Sequence, residues 1–463
     1  QVCNHNYLLA DAFHRKNGWR PLLRDYQAAV IDEAHRLPEA AEQMLTQRLS
    51  VQALLQLARR LEQQHLTHSA QQLRAATEVL TSVCQPQEPD RVRAERQVPY
   101  LPTQERQAAL ATLQSCIDEL LRRYQARLPL SLRHQLQATS ETAALFARPQ
   151  EDWIAYIEYD AASENQTNTP FTLCAVPCDQ PGYLRDLLWQ REKPAILTSG
   201  TLAAGHNFTH VRRQLGLHGG SAVQTVQVAS PFDYAKNCLL LFPPRPAAHK
   251  ADKPSRGETS HERLARQIEQ LIHKAHGHTL VLFTSYDQMG RVYERLEGRL
   301  PVPLFKAPRG GQWFVEQFKR CENAVLLAGG PCWEGVDFPG DMVSLLVIVR
   351  LPFPVPDPVR EARREQYPDL HSYIRAEIVP EMQQKLRQGF GRAIRTETDS
   401  CAVAILDPRA APGGRYHQAV LDALPSGIPI ATKTEAIQTF LRARKSPDFF
   451  LPDFENDPNI KQQ

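Results

Sequence analysis

The sequence predicts an α/β protein: two parallel-sheet units, the first interrupted by an all-helical insertion. Three observations predict it. Residues 28–31 are small or apolar and run straight into Asp32 and Glu33, a strand pattern whose tip carries carboxylates. Open parallel sheets place their chemistry at such C-terminal tips. Over residues 46–150 the composition changes: Leu, Ala, Gln and Arg dominate, glycine is absent, and apolar residues such as Leu54, Leu57, Leu61 and Leu110, Leu113, Ile117 recur at helical spacing. From residue 206 onward, apolar strands at 239–242, 279–283, 324–328, 344–349 and 403–406 are mostly separated by helical stretches, as βαβ crossovers require.

The bulk properties bound the reading. A chain of 463 residues exceeds one ordinary core. Its net charge of +3 does not by itself announce nucleic acid, though it permits a local basic groove. Residues 46–150 carry 13 Arg, no Lys and 9 acids, which reads first as a solvated helical face and second as a DNA-facing one. Nine cysteines, odd in number and irregularly spaced, indicate a reduced, cytoplasmic protein, with Cys174 and Cys178 as buried thiols. No apolar run approaches the roughly 18 residues of a membrane span, and no signal-peptide pattern is present. The chain starts at Gln1 rather than Met and is expected to be an N-terminally truncated fragment.

Taken in order, residues 1–45 hold the acidic strand and a helix opened by Pro38 with acids close behind, as N-terminal helical turns favour. Residues 46–150 are the helical insert, broken at 85–90 and 99–102. Residues 151–205 are expected to resume the first sheet, with strand patterns at 153–159 and 171–176, a helix over 182–189 and a strand at 194–197. Residues 206–445 form the second unit, with a polar, proline-bearing loop at 244–257 and a last amphipathic helix at 432–444. Residues 446–463 are a tail bearing Phe449, Phe450 and Phe454. His273, His276 and His278 are expected at a helix end capped by Gly277, not at a metal.

Three stretches carry chemistry. In the Asp32-Glu33 pair, one carboxylate suits Mg²⁺ held through water and the other suits an attacking water; an acid-rich helix start is the competing reading. Arg392 and Arg395, three apart, share a helix face and suit the charge that grows on a transferring γ-phosphate. Gly389 and Gly391 flank Phe390 beside them, each costing about 1 kcal/mol in a helix, which implies close approach of a backbone or a ligand. The loop Trp333-Glu334-Gly335-Val336-Asp337-Phe338-Pro339-Gly340 follows a strand and fits a nucleotide-sensing contact with a nucleic-acid backbone. Trp333 and Phe338 are candidates for stacking on bases, against a core role for at least one of them.

Together, Asp32-Glu33-Ala34-His35, Thr198-Ser199-Gly200-Thr201-Leu202, Trp333 to Asp337 and Gln388-Gly389-Phe390-Gly391-Arg392-Ala393-Ile394-Arg395 occur in the order of superfamily 2 helicase motifs II (the DEAH box), III, V and VI. Their wording resembles the XPD/DinG branch of DNA helicases. Asn4-His5-Asn6-Tyr7, Ser230-Pro231-Phe232-Asp233-Tyr234, Leu282-Phe283-Thr284-Ser285-Tyr286, Leu351-Pro352-Phe353 and Leu406-Asp407-Pro408-Arg409 agree, so the resemblance covers nearly the whole chain apart from the insert and the tail. It implies two RecA-like motor domains with an arch-like helical insertion, and an ATP-dependent DNA helicase moving 5′ to 3′ on single-stranded DNA or DNA junctions in repair or replication. By the same resemblance, Asp32 would hold Mg²⁺ through water and Glu33 would activate the hydrolytic water. His35, Thr198, Ser199 and Thr201 would couple the ATP site to DNA, Arg392 and Arg395 would be arginine fingers with Gln388 beside them, and Gly335 and Asp337 would link nucleotide state to the DNA track.

The sequence also departs from that pattern. The phosphate loop G-x-x-x-x-G-K-[ST] does not occur in it, and the family places that loop upstream of Asn4. An iron–sulfur cluster would likewise belong only to the upstream segment, since none of the nine cysteines is assignable to one. Gly200 replaces the usual alanine of motif III. Two rival readings remain: a DEAH-type RNA helicase, disfavoured by the 166 positions between Asp32 and Thr198, and a non-catalytic DNA-binding scaffold, disfavoured by the intact acids and arginines.

Overall fold

The computed structural model describes residues 1–86, 96–160, 169–190, 193–218, 223–243, 259–338 and 340–451. The loop expected at 244–257, most of that at 85–90, Pro339 and the tail beyond Leu451 lie outside the described residues. The chain divides into two compact units that do not follow linear boundaries: residues 1–198, 212–221 and 355–373 form one, and residues 199–211, 222–354 and 374–463 the other.

The first unit contains strands β1 (Ala29–Ile31), β2 (Gln47–Ser50), β3 (Gln97–Pro99), β4 (Trp153–Tyr159), β5 (Phe171–Pro177) and β6 (Ala195–Leu197). β1 and β6 are a parallel pair, with Val30 opposite Ile196. The other four form a separate antiparallel sheet in the order β2-β5-β4-β3. The expectation of an all-helical insert, followed by a return to the first sheet at 151–205, is therefore corrected. β4 and β5 pair with each other and with two short strands from the insert, and the parallel pair resumes only at β6.

Burial explains this arrangement. Ile157, Tyr159, Phe171, Leu173 and Ala175 pack with Leu54, Leu61, Leu73, Leu113 and Leu136 of the helices Val51–Gln63, Thr67–Val83, Gln104–Tyr124 and Leu130–Ala147. The opposite face, Ile154, Tyr156, Cys174 and Val176, packs against Val359 of the helix Pro358–Arg364. That helix is held further by Arg363, whose Nη2 donates to Glu42 Oε2 at 3.1 Å and Gln180 Oε1 at 2.7 Å. With both faces covered, β4 and β5 lose the polar alternation of a half-exposed sheet, so the sequence does not separate them from a parallel core.

The second unit is a seven-stranded, wholly parallel sheet. Its strands are β7 (Cys238–Leu241), β8 (Thr279–Leu282), β9 (Leu304–Ala307), β10 (Val325–Ala328), β11 (Leu345–Ile348), β12 (Cys401–Ile405) and β13 (Ile430–Ala431), in the order β13-β7-β12-β11-β8-β10-β9. Five of the seven match expected strands; the short edge strands β9 and β13 carry no comparable apolar run.

Successive residues of the central strands feed two cores. Leu240, Leu282, Leu326, Leu346 and Val403 face Met382, Leu386 and Phe390 of the helix Val379–Phe390. Leu239, Val281, Leu327, Val347 and Ala404 face Ile268, Met289, Val292, Ile437 and Leu441 of the helices Ser260–Lys274, Tyr286–Leu296 and Glu435–Arg442. Each fully buried aliphatic side chain contributes roughly 1.5–3 kcal/mol, which holds the sheet rigid beneath its loops.

The His-rich stretch is a helix end, as expected. Gly277, at φ +87°, donates its N–H to Ile272, and a Cβ there would meet Asn323 O at 2.7 Å. His278 stacks on Phe449 with ring centroids 4.0 Å apart, and His276 meets Phe450 edge-on, which docks the start of the tail. Among the described residues no helix is long and apolar enough to cross a membrane.

Candidate functional site

In the first unit, the predicted acidic tip stands where a parallel sheet should put it. Asp32 and Glu33 follow β1, Thr198 follows β6, and the two strand ends are tied together. Thr198 N–H donates to Ile31 O at 2.9 Å, and Ala34 N–H donates to Thr198 O at 3.1 Å. The Thr198 hydroxyl then donates to Asp32 Oδ1 at 2.8 Å. That bond, followed by the backbone N–H of Glu33, holds the exposed Asp32 carboxyl below its usual range. Residues 166 positions apart are thus joined at one point.

Glu33 adopts a left-handed conformation at φ 48°. For a residue with a Cβ this costs on the order of 1–2 kcal/mol. Strain of this kind is concentrated at functional sites, and here it accompanies a carboxylate that is 57% exposed. His35 is packed behind it, its Nδ1 3.2 Å from Glu33 Oε2. His5 approaches from the helix His5–Lys16, its Nε2 2.8 Å from Asp32 O. An accessible carboxylate kept ionised by hydrogen bonds fits a cation held through water.

The remaining predicted residues lie in the second unit. The chain passes between units within motif III, so Thr198 belongs to the first and Ser199 and Thr201 to the second. Thr201 N–H donates to Ser199 Oγ at 3.1 Å, closing a tight turn. Gly200 has nothing within 4 Å of where a Cβ would stand, so an alanine fits there.

After β10, Gly335 turns the chain at φ +79° and Asp337 pairs with Arg395, its Oδ1 2.8 Å from Nε. Arg392 donates to Val336 O and, from its Nε, to Gln388 O at 3.4 Å. Burial, and then the neighbouring Arg395, push the Arg392 guanidinium down to about 10, still charged at neutral pH. The structure thus joins the expected motif V and VI residues: Gly335 and Asp337 with Gln388, Arg392 and Arg395.

Two expectations are corrected. Trp333 and Phe338 are each only 1% exposed and are unavailable for stacking on bases. Trp333 Nε1 donates to Phe283 O at 3.0 Å, and Phe338 packs edge-on against Phe318. Gly389 admits no ligand or backbone: a Cβ there would lie 2.6 Å from Trp333 Cε3. Its helix rests directly on the indole. Gly389→Ala should therefore destabilise the protein by about 1–3 kcal/mol through overpacking, measurable as a lower midpoint in chemical denaturation. Gly391 meets only backbone of its own helix end.

Sequence reasoning missed two residues that brace the arginines. Asp399, buried, accepts the backbone N–H groups of Arg395 and Thr396 through Oδ2, each at 2.8 Å, and so fixes the turn that carries Arg395. Arg387, in the helix Val379–Phe390, donates to Ala423 O and Ala203 O at 2.9 Å and to Gly205 O at 3.1 Å. It ties the segment after motif III to the helix before motif VI, and nothing local in the sequence marks it.

All nine cysteines are free thiols.

Comparison with known proteins follows this geometry. The fold is that of XPD-type proteins: an XPD helicase structure aligns over 93% of this chain and 72% of its own at TM-score 0.55 and 19% identity. S. tokodaii Xpd4 aligns over 89% of this chain and 77% of its own at TM-score 0.54 and 18% identity. Residues 268–427 match the family described as Helicase C-terminal domain. Among curated relatives, the ATP-dependent DNA helicase YoaA of Escherichia coli is 29% identical over 88% of this chain and 64% of its own length. The ATP-dependent DNA helicase DinG of Photobacterium profundum is 31% identical over 63% of this chain and 42% of its own length. The chain therefore spans less than two thirds of the length of these relatives. The chain is thus similar, over part of their length, to proteins named as DinG and YoaA helicases, and its fold is similar to that of XPD structures.

Proposed function

We propose that the full-length protein is an ATP-dependent DNA helicase that couples ATP hydrolysis to 5′-to-3′ movement on single-stranded DNA in repair or replication. The observation that carries the reading is the Asp32–Thr198 hydrogen bond, which joins an acidic strand tip to the first residue of motif III. Such a link gives the nucleotide site a mechanical output: the residue that grips Asp32 continues directly into the second unit. YoaA and DinG, named as ATP-dependent DNA helicases, support the same activity.

In this reading Asp32 would hold Mg²⁺, which would supply charge neutralisation for the phosphates. Glu33, turned outward by its left-handed backbone, orients the attacking water and accepts its proton. His35 steadies the Glu33 carboxylate. Arg392 and Arg395 stabilise the charge that grows on the transferred phosphoryl group, with Gln388 beside them. Asp337 holds Arg395 ready, and Gly335 lets the loop between them turn. Thr198, Ser199 and Thr201 transmit the nucleotide state.

The test is strand separation by the full-length protein with ATP on duplexes bearing a 5′ or a 3′ single-stranded tail. Unwinding of the 5′-tailed DNA substrate is expected. ATP turnover stimulated by RNA but not by single-stranded DNA would favour an RNA helicase, and DNA binding without turnover would favour a scaffold.

Thr198→Val provides a sharper check. Asp32 is held ionised to unusually low pH chiefly by the Thr198 hydroxyl, so removing that donor raises the pH at which the carboxyl protonates. The acid limb of the ATPase pH profile should move to higher pH, with the alkaline limb unchanged.

A further inference from the structure

We propose that His210, Glu377 and Glu381 form a binding site for a divalent transition-metal ion, of the Zn²⁺ or Mn²⁺ class, within the second unit. The three residues offer ligand atoms that all lie within 4.8 Å of one another. His210 stands in the helix Thr209–Gln214, shortly after motif III, while Glu377 and Glu381 lie on the stretch leading to Arg392 and Arg395. A cation there ties these two segments together, as Arg387 does further along the same helix.

Four features support the site. First, its donors are buried: the His210 side chain is 2% exposed and that of Glu377 10%. Buried carboxylates are held ionised by charge partners or metals. Second, the spacing fits: one ligand atom from each of the three residues lies within 4.8 Å of the other two. Glu381, partly buried, offers the third ligand atom.

Third, the local helix is wound to suit. Ile374–Ile378 forms a π turn that runs into the helix Val379–Phe390. Such wide turns recur at functional sites because they shift side-chain register. Here Glu377 and Glu381 share a face, an arrangement that is unfavourable for like charges in a plain helix and that a dication relieves. Fourth, His210 Nδ1 is 3.1 Å from Ala376 O. With its proton on Nδ1 the imidazole is oriented by a carbonyl, the usual arrangement behind a ligating histidine. Two carboxylates and a neutral imidazole carry two negative charges, and mixed nitrogen and oxygen donors suit Zn²⁺ or Mn²⁺ better than Ca²⁺.

The inference does not depend on the helicase reading, because its readout is metal binding. The full-length protein, stripped with a chelator, would be titrated calorimetrically with ZnCl₂ and with MnCl₂, beside His210→Gln and Glu381→Gln. Glu381→Gln serves as the variant least disturbing to the fold, checked by circular dichroism. One saturable site is expected in the wild type, weakened at least about tenfold in both variants, with a rise in thermal midpoint on metal addition that both variants lose. Equal affinity and stoichiometry in the wild type and Glu381→Gln would overturn the proposal, as would the absence of saturable binding of either ion.

Discussion

Glu33→Gln should leave ATP binding intact in the full-length protein and reduce turnover by on the order of 10²–10⁴, the usual contribution of a positioned general base. Glutamine keeps the length and planarity of the side chain but neither accepts a proton nor carries the charge that orients a water. The substitution leaves the left-handed backbone at φ 48° with a residue of the same shape, so the fold should not change. Glu33 is more than half exposed, so no buried ion is stranded by the loss of its charge. A fluorescent ATP analogue reads binding, and phosphate release reads turnover. Wild-type turnover in this variant would remove Glu33 from the mechanism.

Under the arginine-finger role proposed for it, Arg395→Ala should lower ATP turnover by on the order of 10³. Magnitudes separate this from unfolding. The Arg395–Asp337 pair is 33% and 67% exposed, and ion pairs this open contribute only about 0–1 kcal/mol to stability. Three decades in rate correspond to roughly 4 kcal/mol of transition-state stabilisation. The variant should therefore melt near the wild-type temperature while hydrolysing poorly. Arg392 differs: it is half-buried and holds Val336 O, so its loss should cost stability as well as rate.

The contrast between these arginines also shows how far the sequence could be read. Asp32, Glu33, Thr198, Arg392 and Arg395 stand out as candidates because their motifs are short, ordered and chemically specific. The central strands of the seven-stranded sheet were legible because both faces are buried, leaving uninterrupted aliphatic runs. β2 and β3 were not: Gln47 and Arg48 are exposed, and Pro99 sits where a strand pattern normally breaks. Pairing with β5 and β4, rather than propensity, makes them strands. Trp333 and Phe338 misled because acids and glycines around them suggest an exposed loop, whereas the loop folds its aromatics under itself. Gly389 was rightly singled out for close approach, but what approaches is Trp333 rather than a ligand. Arg387 acts through carbonyls of residues 203, 205 and 423, distant partners that no local pattern announces.

The proposed function requires Glu33 and Arg395 to serve the same hydrolytic step. Steady-state ATP turnover of the full-length protein with single-stranded DNA should be measured for Glu33→Gln, Arg395→Ala and the double variant. Groups that serve one step are strongly non-additive, so the double variant should hydrolyse ATP no more slowly than the worse single variant. A double variant whose loss equals the product of the two single losses would mean the groups act independently, and would contradict the account.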